Sequence, residues 1–372
     1  MTKKLLLTLF ILLSTIAFSQ NMSLSEKAKV SILTCGLGPE SYAMYGHTGI
    51  RIQDSLKGID VVYNYGAFDF STPNFIGKFV KGDLQYFVTN GSFIDFYYNY
   101  QAENREIIEQ EIQMNPAQMN LLFQQLNHSV YSDERFYTYK FIDRNCTTMV
   151  VDKINGILGK EYIKSDTSNQ TYREILYPYM TDFYMKLGIQ LIFGAKVDEP
   201  ATRLFLPYEF KEAISYTKVN GNAIEKSNKR ILEVSKTEVS FNWMNSIYSL
   251  IAILLALVLA NKKWIQISYF VFAGILGLFF SLVGFYSLHE EVLWNYNILL
   301  FNPLLLVFAW YLKKGIKERI VLLGQIILAM LLLYLAYMTT KIHLEIVWPF
   351  IALHFYWIAK IVLQIKKSNI AH

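Results

Sequence analysis

Tyr45-Gly46-His47-Thr48-Gly49 and, far along the chain, Asn145-Cys146-Thr147-Thr148 decide how this sequence folds and what chemistry it can hold. The histidine opens a β-branched run, Gly49–Gln53, that reads as a strand. Asn145 reads as the cap of a helix running from Cys146 to about Ile157 and ending near Gly156 and Gly159. A cysteine in the first turn of a helix has its thiolate favoured by the positive end of the helix dipole. A histidine at the head of a strand can lie opposite it and take its proton. Asn64 falls on the strand expected to pair with Gly49–Gln53, so it is the candidate for holding the imidazole tautomer. The catalytic candidates are therefore Cys146, His47 and Asn64, with the backbone N–H of Cys146 and a nearby donor available to an oxyanion.

Around this pair, residues 20–241 are long enough for one globular domain with a real core. Lys29–Thr34, Gly49–Gln53 and Asp60–Tyr65 read as strands, separated by Gly38-Pro39 and Lys57-Gly58. Thr72-Pro73 opens a segment of helical period through Val88, with Phe75, Ile76, Phe79 and Val80 on its apolar positions. Ser92–Ile108 and Pro116–Leu126 read as further helices, and Thr171–Val234 as a weaker helical stretch. Within that stretch Leu187–Gly194 is apolar enough to dip into a membrane surface. The domain is expected to be α+β, with no internal repeat.

The two ends of the chain place this domain. Residues 1–19 carry Lys3 and Lys4, the apolar run Leu5 to Phe18 and the small-residue site Ala17-Phe18-Ser19, the pattern of a cleaved secretory signal peptide; an uncleaved anchor is the alternative. After residue 240 the apolar excess behind the chain's 53% hydrophobic content is concentrated. Five stretches approach the ~20 residues a bilayer core requires: Asn242–Ala260, Trp264–Leu288, Val292–Leu312, Ile320–Thr340 and Ile346–Ile365. They form a transmembrane domain over residues 242–365, with a short tail, 366–372.

Loop charge orients the bundle. Lys262, Lys263, Lys313, Lys314, Lys317, Arg319, Lys366 and Lys367 follow the odd spans, and only Lys341 follows an even one. The odd ends are therefore cytoplasmic, which agrees with a domain exported ahead of the first span. The net charge of +5 is largely this topology signal, and no nucleic-acid partner is inferred from it.

Other polar residues are weighed against plainer roles. Cys35 and Cys146 are the only cysteines, and in an exported domain a structural disulfide is a serious alternative to a reactive thiol. Asp69, Asp83 and Glu103 stand at no ligand spacing, so no metal is assigned. Arg173, Tyr172 and Pro207-Tyr208 are taken as structural. His289, Glu290, Glu291, Asn295 and Asn297 gather in the outer loop between the second and third spans, with Asn302 deeper. They could meet lipid headgroups or hydrogen-bond between helices.

The order of His47 on a strand before Cys146 on a helix is similar to circularly permuted papain-like (NlpC-type) folds, the group that includes lecithin:retinol acyltransferase. Leu33-Thr34-Cys35, Tyr45-Gly46-His47-Thr48, Val62-Tyr63-Asn64-Tyr65-Gly66-Ala67-Phe68-Asp69, Phe79-Val80-Lys81-Gly82-Asp83-Leu84 and Asn145-Cys146-Thr147-Thr148 more closely resemble the Lnb family. The resemblance covers nearly the whole chain. It implies an inner-membrane protein with a periplasmic N-terminal domain, five C-terminal spans and a cytoplasmic C-terminus. The activity implied is lipoprotein N-acyltransfer without a cofactor: an acyl chain passes from a membrane phospholipid, through a cysteine thioester, to the α-amine of a diacylated lipoprotein. Tyr45, Asn145, His289 and Glu290 are the substrate-binding candidates. A periplasmic cysteine hydrolase and a non-catalytic membrane scaffold remain as alternatives. Five spans favour the acyltransferase over the hydrolase, and a free Cys146 thiol would favour it over the scaffold.

Overall fold

The computed structural model describes residues 23–165, 169–235 and 241–370; the expected signal peptide and its cleavage site lie outside these. In the N-terminal domain the elements run β1 (Ala28–Cys35), β2 (His47–Asp54), β3 (Ile59–Ala67), α1 (Phe75–Lys81), β4 (Gln85–Ser92), α2 (Phe93–Ala102), β5 (Ile107–Ile112), α3 (Pro116–Tyr131), β6 (Phe136–Thr138), α4 (Cys146–Leu158), α5 (Tyr172–Leu176), α6 (Phe183–Ile192) and α7 (Pro207–Tyr216). A small hairpin leads to a last strand, β7 (Glu225–Leu232). Seven strands form one antiparallel sheet in the order β6-β4-β3-β2-β1-β5-β7.

Alternation along the strands gives each face its own cover. Val30, Ile32, Ile50, Ile52, Tyr63 and Tyr65 pack with Leu122 and Phe123 of α3, Val150 and Ile154 of α4 and Phe210 of α7. Leu33, Cys35 and Val62 instead meet Phe96 of α2 and Leu232 of β7.

Three sequence expectations are corrected. The helical segment through Val88 is only α1, stopped by Gly82 in the left-handed region (φ 78°); β4 begins at Gln85. The helix expected through Ile108 ends at Ala102 and gives way to β5. The stretch ending at Val234 closes on β7, an edge strand whose Lys226, Lys229 and Arg230 obscure its pattern while guarding the edge.

The C-terminal region is helical: α8 (Ile247–Ala260), α9 (Lys263–Tyr286), α10 (Leu304–Lys314), α11 (Lys317–Met338) and α12 (Leu344–Ile370). Four segments, Lys263–Tyr286, Glu290–Lys314, Lys317–Met338 and Leu344–Ser368, are long and apolar enough to cross a membrane. The expected first span is shorter: α8 has 14 residues, about 21 Å at 1.5 Å per residue. The expected third span is irregular at its outer end, with 3₁₀ turns at Glu290–Val292 and Tyr296–Leu299 before α10.

The two regions share a core. Tyr177, Leu187 and Leu191 pack with Leu250, Phe301, Leu305 and Ile346 of the helical region, so the apolar Leu187–Gly194 segment is buried against protein. Gly194 donates its N–H to the Glu291 carbonyl at 2.7 Å. A Cβ there would lie 1.7 Å from the Leu293 carbonyl oxygen, so only glycine permits this approach.

Candidate active site

The helix cap builds the nucleophile's position. Asn145 Oδ1 accepts from the N–H groups of Thr147 (2.9 Å) and Thr148 (3.0 Å), and Thr148 Oγ1 accepts from the Asn145 N–H at 2.8 Å, a reciprocal capping box. Asn145 Nδ2 donates to the carbonyls of Phe141 (2.8 Å) and Phe205 (2.9 Å). Its side chain is thus fully engaged with backbone groups, and the place the structure gives this substrate-binding candidate is that of the helix cap. Asn145→Ala loses the cap and leaves two buried carbonyls unpaired, so the domain is expected to lose about 2–3 kcal/mol; chemical denaturation followed by circular dichroism measures it.

Cys146 follows at the first helical position, its own N–H donating to no protein group among the described residues. Opposite it, His47 opens β2 and pairs in register with Cys35. Thr48 Oγ1 and Thr147 Oγ1 lie 3.0 Å apart, a link between β2 and α4 that the sequence reading missed. The backbone N–H of Thr48 also favours the Cys146 thiolate. His47 Nε2 hydrogen-bonds Asn64 Oδ1 at 3.0 Å, which leaves Nδ1 for the thiol; Cys146 and His47 stand close enough for each to shift the other's titration. Asn64 stands in register with Gly49. A Cβ on Gly49 would come within 3.3 Å of Asn64 Oδ1, so the missing side chain there gives the amide its room.

Electrostatics make the pair reactive. Burial alone pushes the Cys146 thiol up, but the hydrogen bond and positive charge of His47, the Thr48 N–H and the Thr147 hydroxyl outweigh it, and the net shift is below the ordinary 9.0. Burial pushes His47 down, but the Cys146 thiolate and Asn64 reverse this and raise it. Each group therefore favours the charged form of the other. Burial pushes Cys35 up to about 12, and both cysteines are free. The disulfide alternative is not what the structure holds.

A pH dependence follows, with its sign fixed by these directions. Thiolate forms as pH rises through the Cys146 value, so alkylation by iodoacetamide should reach half its limiting rate below pH 9.0. In His47→Ala burial and the weaker influences of Thr48 and Thr147 remain, and the midpoint should move up. Stopped alkylation with peptide mass spectrometry separates Cys146 from the unreactive Cys35.

The remaining candidates fall in different places. Tyr45 lies two residues before His47, edge-on to Phe141 (5.4 Å), and its buried hydroxyl finds no hydrogen-bond partner among the described residues. His289 Nε2 donates to the Phe79 carbonyl at 2.8 Å and Glu290 pairs with Lys140 at 3.2 Å. Buried Glu291 accepts from the Ile142 N–H at 3.2 Å, and Asn295 Nδ2 donates to the Leu191 and Ile192 carbonyls at 2.8 and 3.0 Å. This loop's polar groups dock onto the N-terminal domain; neither bonding confined to the membrane helices nor free headgroup contact describes them. Among the described residues no group of His, Cys, Asp and Glu could hold a metal ion.

Residues 17–177 match the model of the Lnb N-terminal periplasmic domain, and residues 238–368 that of the Lnb transmembrane domain. No curated protein and no solved structure matches the chain.

Proposed function

This chain belongs to the Lnb family of membrane proteins, with a periplasmic domain ahead of its transmembrane one, and on that footing we propose that it is a cysteine-dependent acyltransferase maturing envelope lipoproteins. The observation that carries this reading is the His47–Cys146 pair, held at a helix N-terminus in a domain packed directly on membrane helices. Both substrates, a phospholipid and a lipidated protein, live in the bilayer beside it. A wall hydrolase needs no such bundle, and a scaffold needs no lowered thiol.

In the proposed reaction the Cys146 thiolate attacks the carbonyl of a phospholipid acyl ester. The N–H of Cys146 meets the developing oxyanion. The C–O bond breaks, the His47 imidazolium protonates the departing lysophospholipid oxygen, and the acyl group rests as a thioester. The α-amine of a diacylated lipoprotein then attacks; the C–S bond breaks as the C–N bond forms, and His47 takes the amine's proton. Asn64 keeps the imidazole oriented, as in circularly permuted papain-like sites. The test is a cell lacking other N-acyltransferases, with lipoprotein α-amine acylation read by mass spectrometry: the chain should restore it, Cys35→Ser should also restore it, and no acylation with a stably expressed chain would reject the activity.

The proposal includes five passes across an inner membrane and a cytoplasmic C-terminus. Tyr184 N and Oη bond Asn245 Oδ1 (3.2 Å) and Ser249 Oγ (2.7 Å) at the head of α8, and α8 passes through Asn261 into α9, whose other end returns to the periplasmic domain through Leu288. A fourteen-residue helix plus its 241–246 lead-in, ended by Lys262 and Lys263, supports a short crossing. A periplasm-only reporter should give signal after Phe241 and none after Lys317 or at the C-terminus; signal at the C-terminus would mean that α8 does not cross.

A further inference from the structure

Helix α1 turns its apolar stripe away from the core. Ile76, Phe79 and Val80 share one face at i, i+3 and i+4 and are 76%, 49% and 40% exposed, and no residue of the helix is buried. In a domain bathed in water such a stripe faces inward. What covers it is indicated by how its C-terminal turn is held. The Leu288 N–H donates to the Lys81 carbonyl at 2.6 Å, Ser287 Oγ to that of Val80 at 2.9 Å, and His289 Nε2 to that of Phe79 at 2.8 Å.

These bonds fix α1 at the outer end of α9. There Phe285 and Trp294 are 91% and 86% exposed, with Tyr286 and Leu288 also open, the aromatic belt expected where a membrane helix leaves the bilayer. The α1 stripe therefore stands beside the end of α9 that carries these rings.

The other side of α1 leads to the thiol. Phe75 meets Phe70 (5.1 Å) and Phe68 (5.9 Å), Phe68 meets Tyr86 (5.3 Å), and Tyr86 stacks on Tyr139 (4.4 Å). The segment carrying Phe68 and Phe70 starts at Gly66, where a Cβ would stand 3.6 Å from that of Cys146.

We propose that α1 and the 68–70 loop form an interfacial element: Ile76, Phe79 and Val80 insert among the acyl chains of outer-leaflet phospholipid, and the rings of Phe68, Phe70 and Phe75 line the route of one acyl chain to Cys146. The route rests on the acyltransfer reading; the insertion does not. Amphipathic segments of this kind bury their apolar face at the headgroup–acyl boundary.

The experiment uses the full chain with Cys146→Ser, so that an introduced thiol carries the label. An environment-sensitive fluorophore is placed at Ile76→Cys, at Phe285→Cys on α9, or at Leu56→Cys in the β2–β3 turn, and the protein is reconstituted in nanodiscs containing phospholipid brominated along its acyl chains. Quenching at position 76 should fall within about twofold of that at 285, with almost none at 56. Position 76 behaving like 56, open to aqueous iodide instead, would overturn the insertion; shielding from both quenchers would also overturn it, pointing to a second protein over the stripe. With native Cys146, Phe68→Ser together with Phe70→Ser should slow acylation of that thiol by vesicle phospholipid about tenfold, and an unchanged rate would overturn the route. Strong quenching at 76 in the labelled chain, with no acyl uptake from any ester by Cys146 of the unlabelled native chain, would leave the insertion standing and reject the acyltransferase.

Discussion

Under the proposed reaction Cys146→Ala should leave no detectable N-acylation of lipoproteins in cells that depend on this chain, and His47→Ala should reduce it by about 10⁴-fold, because nucleophile and base would act as one unit and the second loss would add little to the first. The double variant should therefore match Cys146→Ala within error. Cys146→Ser is expected to fail as well: an alkoxide is far less accessible than a thiolate, and the surroundings that lower a thiol through His47 and Thr48 do not bring a hydroxyl near neutrality. Asn64→Ala retains the pair but frees His47 Nε2, so its loss should be smaller and concentrated in kcat. Rates are compared at equal amounts of membrane-inserted protein, by mass spectrometry of a reporter lipoprotein's N-terminal peptide. Cys146→Ala cells acylating at the parental rate would remove the thioester route.

Arg173→Leu should destabilise the folded chain by about 3–5 kcal/mol, the usual consequence of stripping one partner from a buried ion pair. Arg173 is 1% exposed. Its Nε meets Asp198 Oδ1 at 3.0 Å, its Nη1 meets Gln190 Oε1 at 2.6 Å and its Nη2 meets the Gly194 carbonyl at 3.1 Å. Asp198 in turn accepts from the Tyr296 hydroxyl at 2.8 Å and lies 3.4 Å from Lys341 Nζ. The cluster thus joins α5, α6 and the following turn to two outer loops of the membrane region, and removing the guanidinium leaves the Asp198 carboxylate with its weaker partners. Arg173→Lys should recover little, since one ammonium cannot replace a fork with this many acceptors. Lys341→Ala, at a longer and more open contact, should cost under about 1 kcal/mol. Limited proteolysis, measured against temperature in detergent, reads both effects: Arg173→Leu should be cleaved at markedly lower temperature, and unchanged protection would show that the apolar contacts alone hold the domains together.

The sequence reading succeeded where local chemistry is strong. β1, β2 and β3 follow from β-branched runs between turn residues, and the first helical turn at Cys146 from an asparagine cap. Asn64 could be found because strand register is transmitted rigidly from Gly49. The misses have equally definite causes. Phe75, Ile76, Phe79 and Val80 have true helical spacing, but their stripe faces outward, and Tyr86 and Val88 beyond Gly82 happen to extend the same period while alternating as a strand. β7 hides because an edge strand with one solvated side carries charge. The docking of Glu291, Asn295 and Gly194 has no sequence signature, since each partner comes from another region of the chain. Arg173 looks like any surface arginine until the fold surrounds it.

The central claim is that Cys146 carries the acyl group. Intact-protein mass spectrometry of the purified full chain, incubated with phospholipid vesicles and no acceptor and quenched in acid, tests it most directly. A mass increase of one acyl chain, mapped to Cys146, reversed by neutral hydroxylamine and absent from Cys146→Ala but present in Cys35→Ser, is the expected result. An unmodified Cys146 in a preparation that still acylates an added lipoprotein would contradict it.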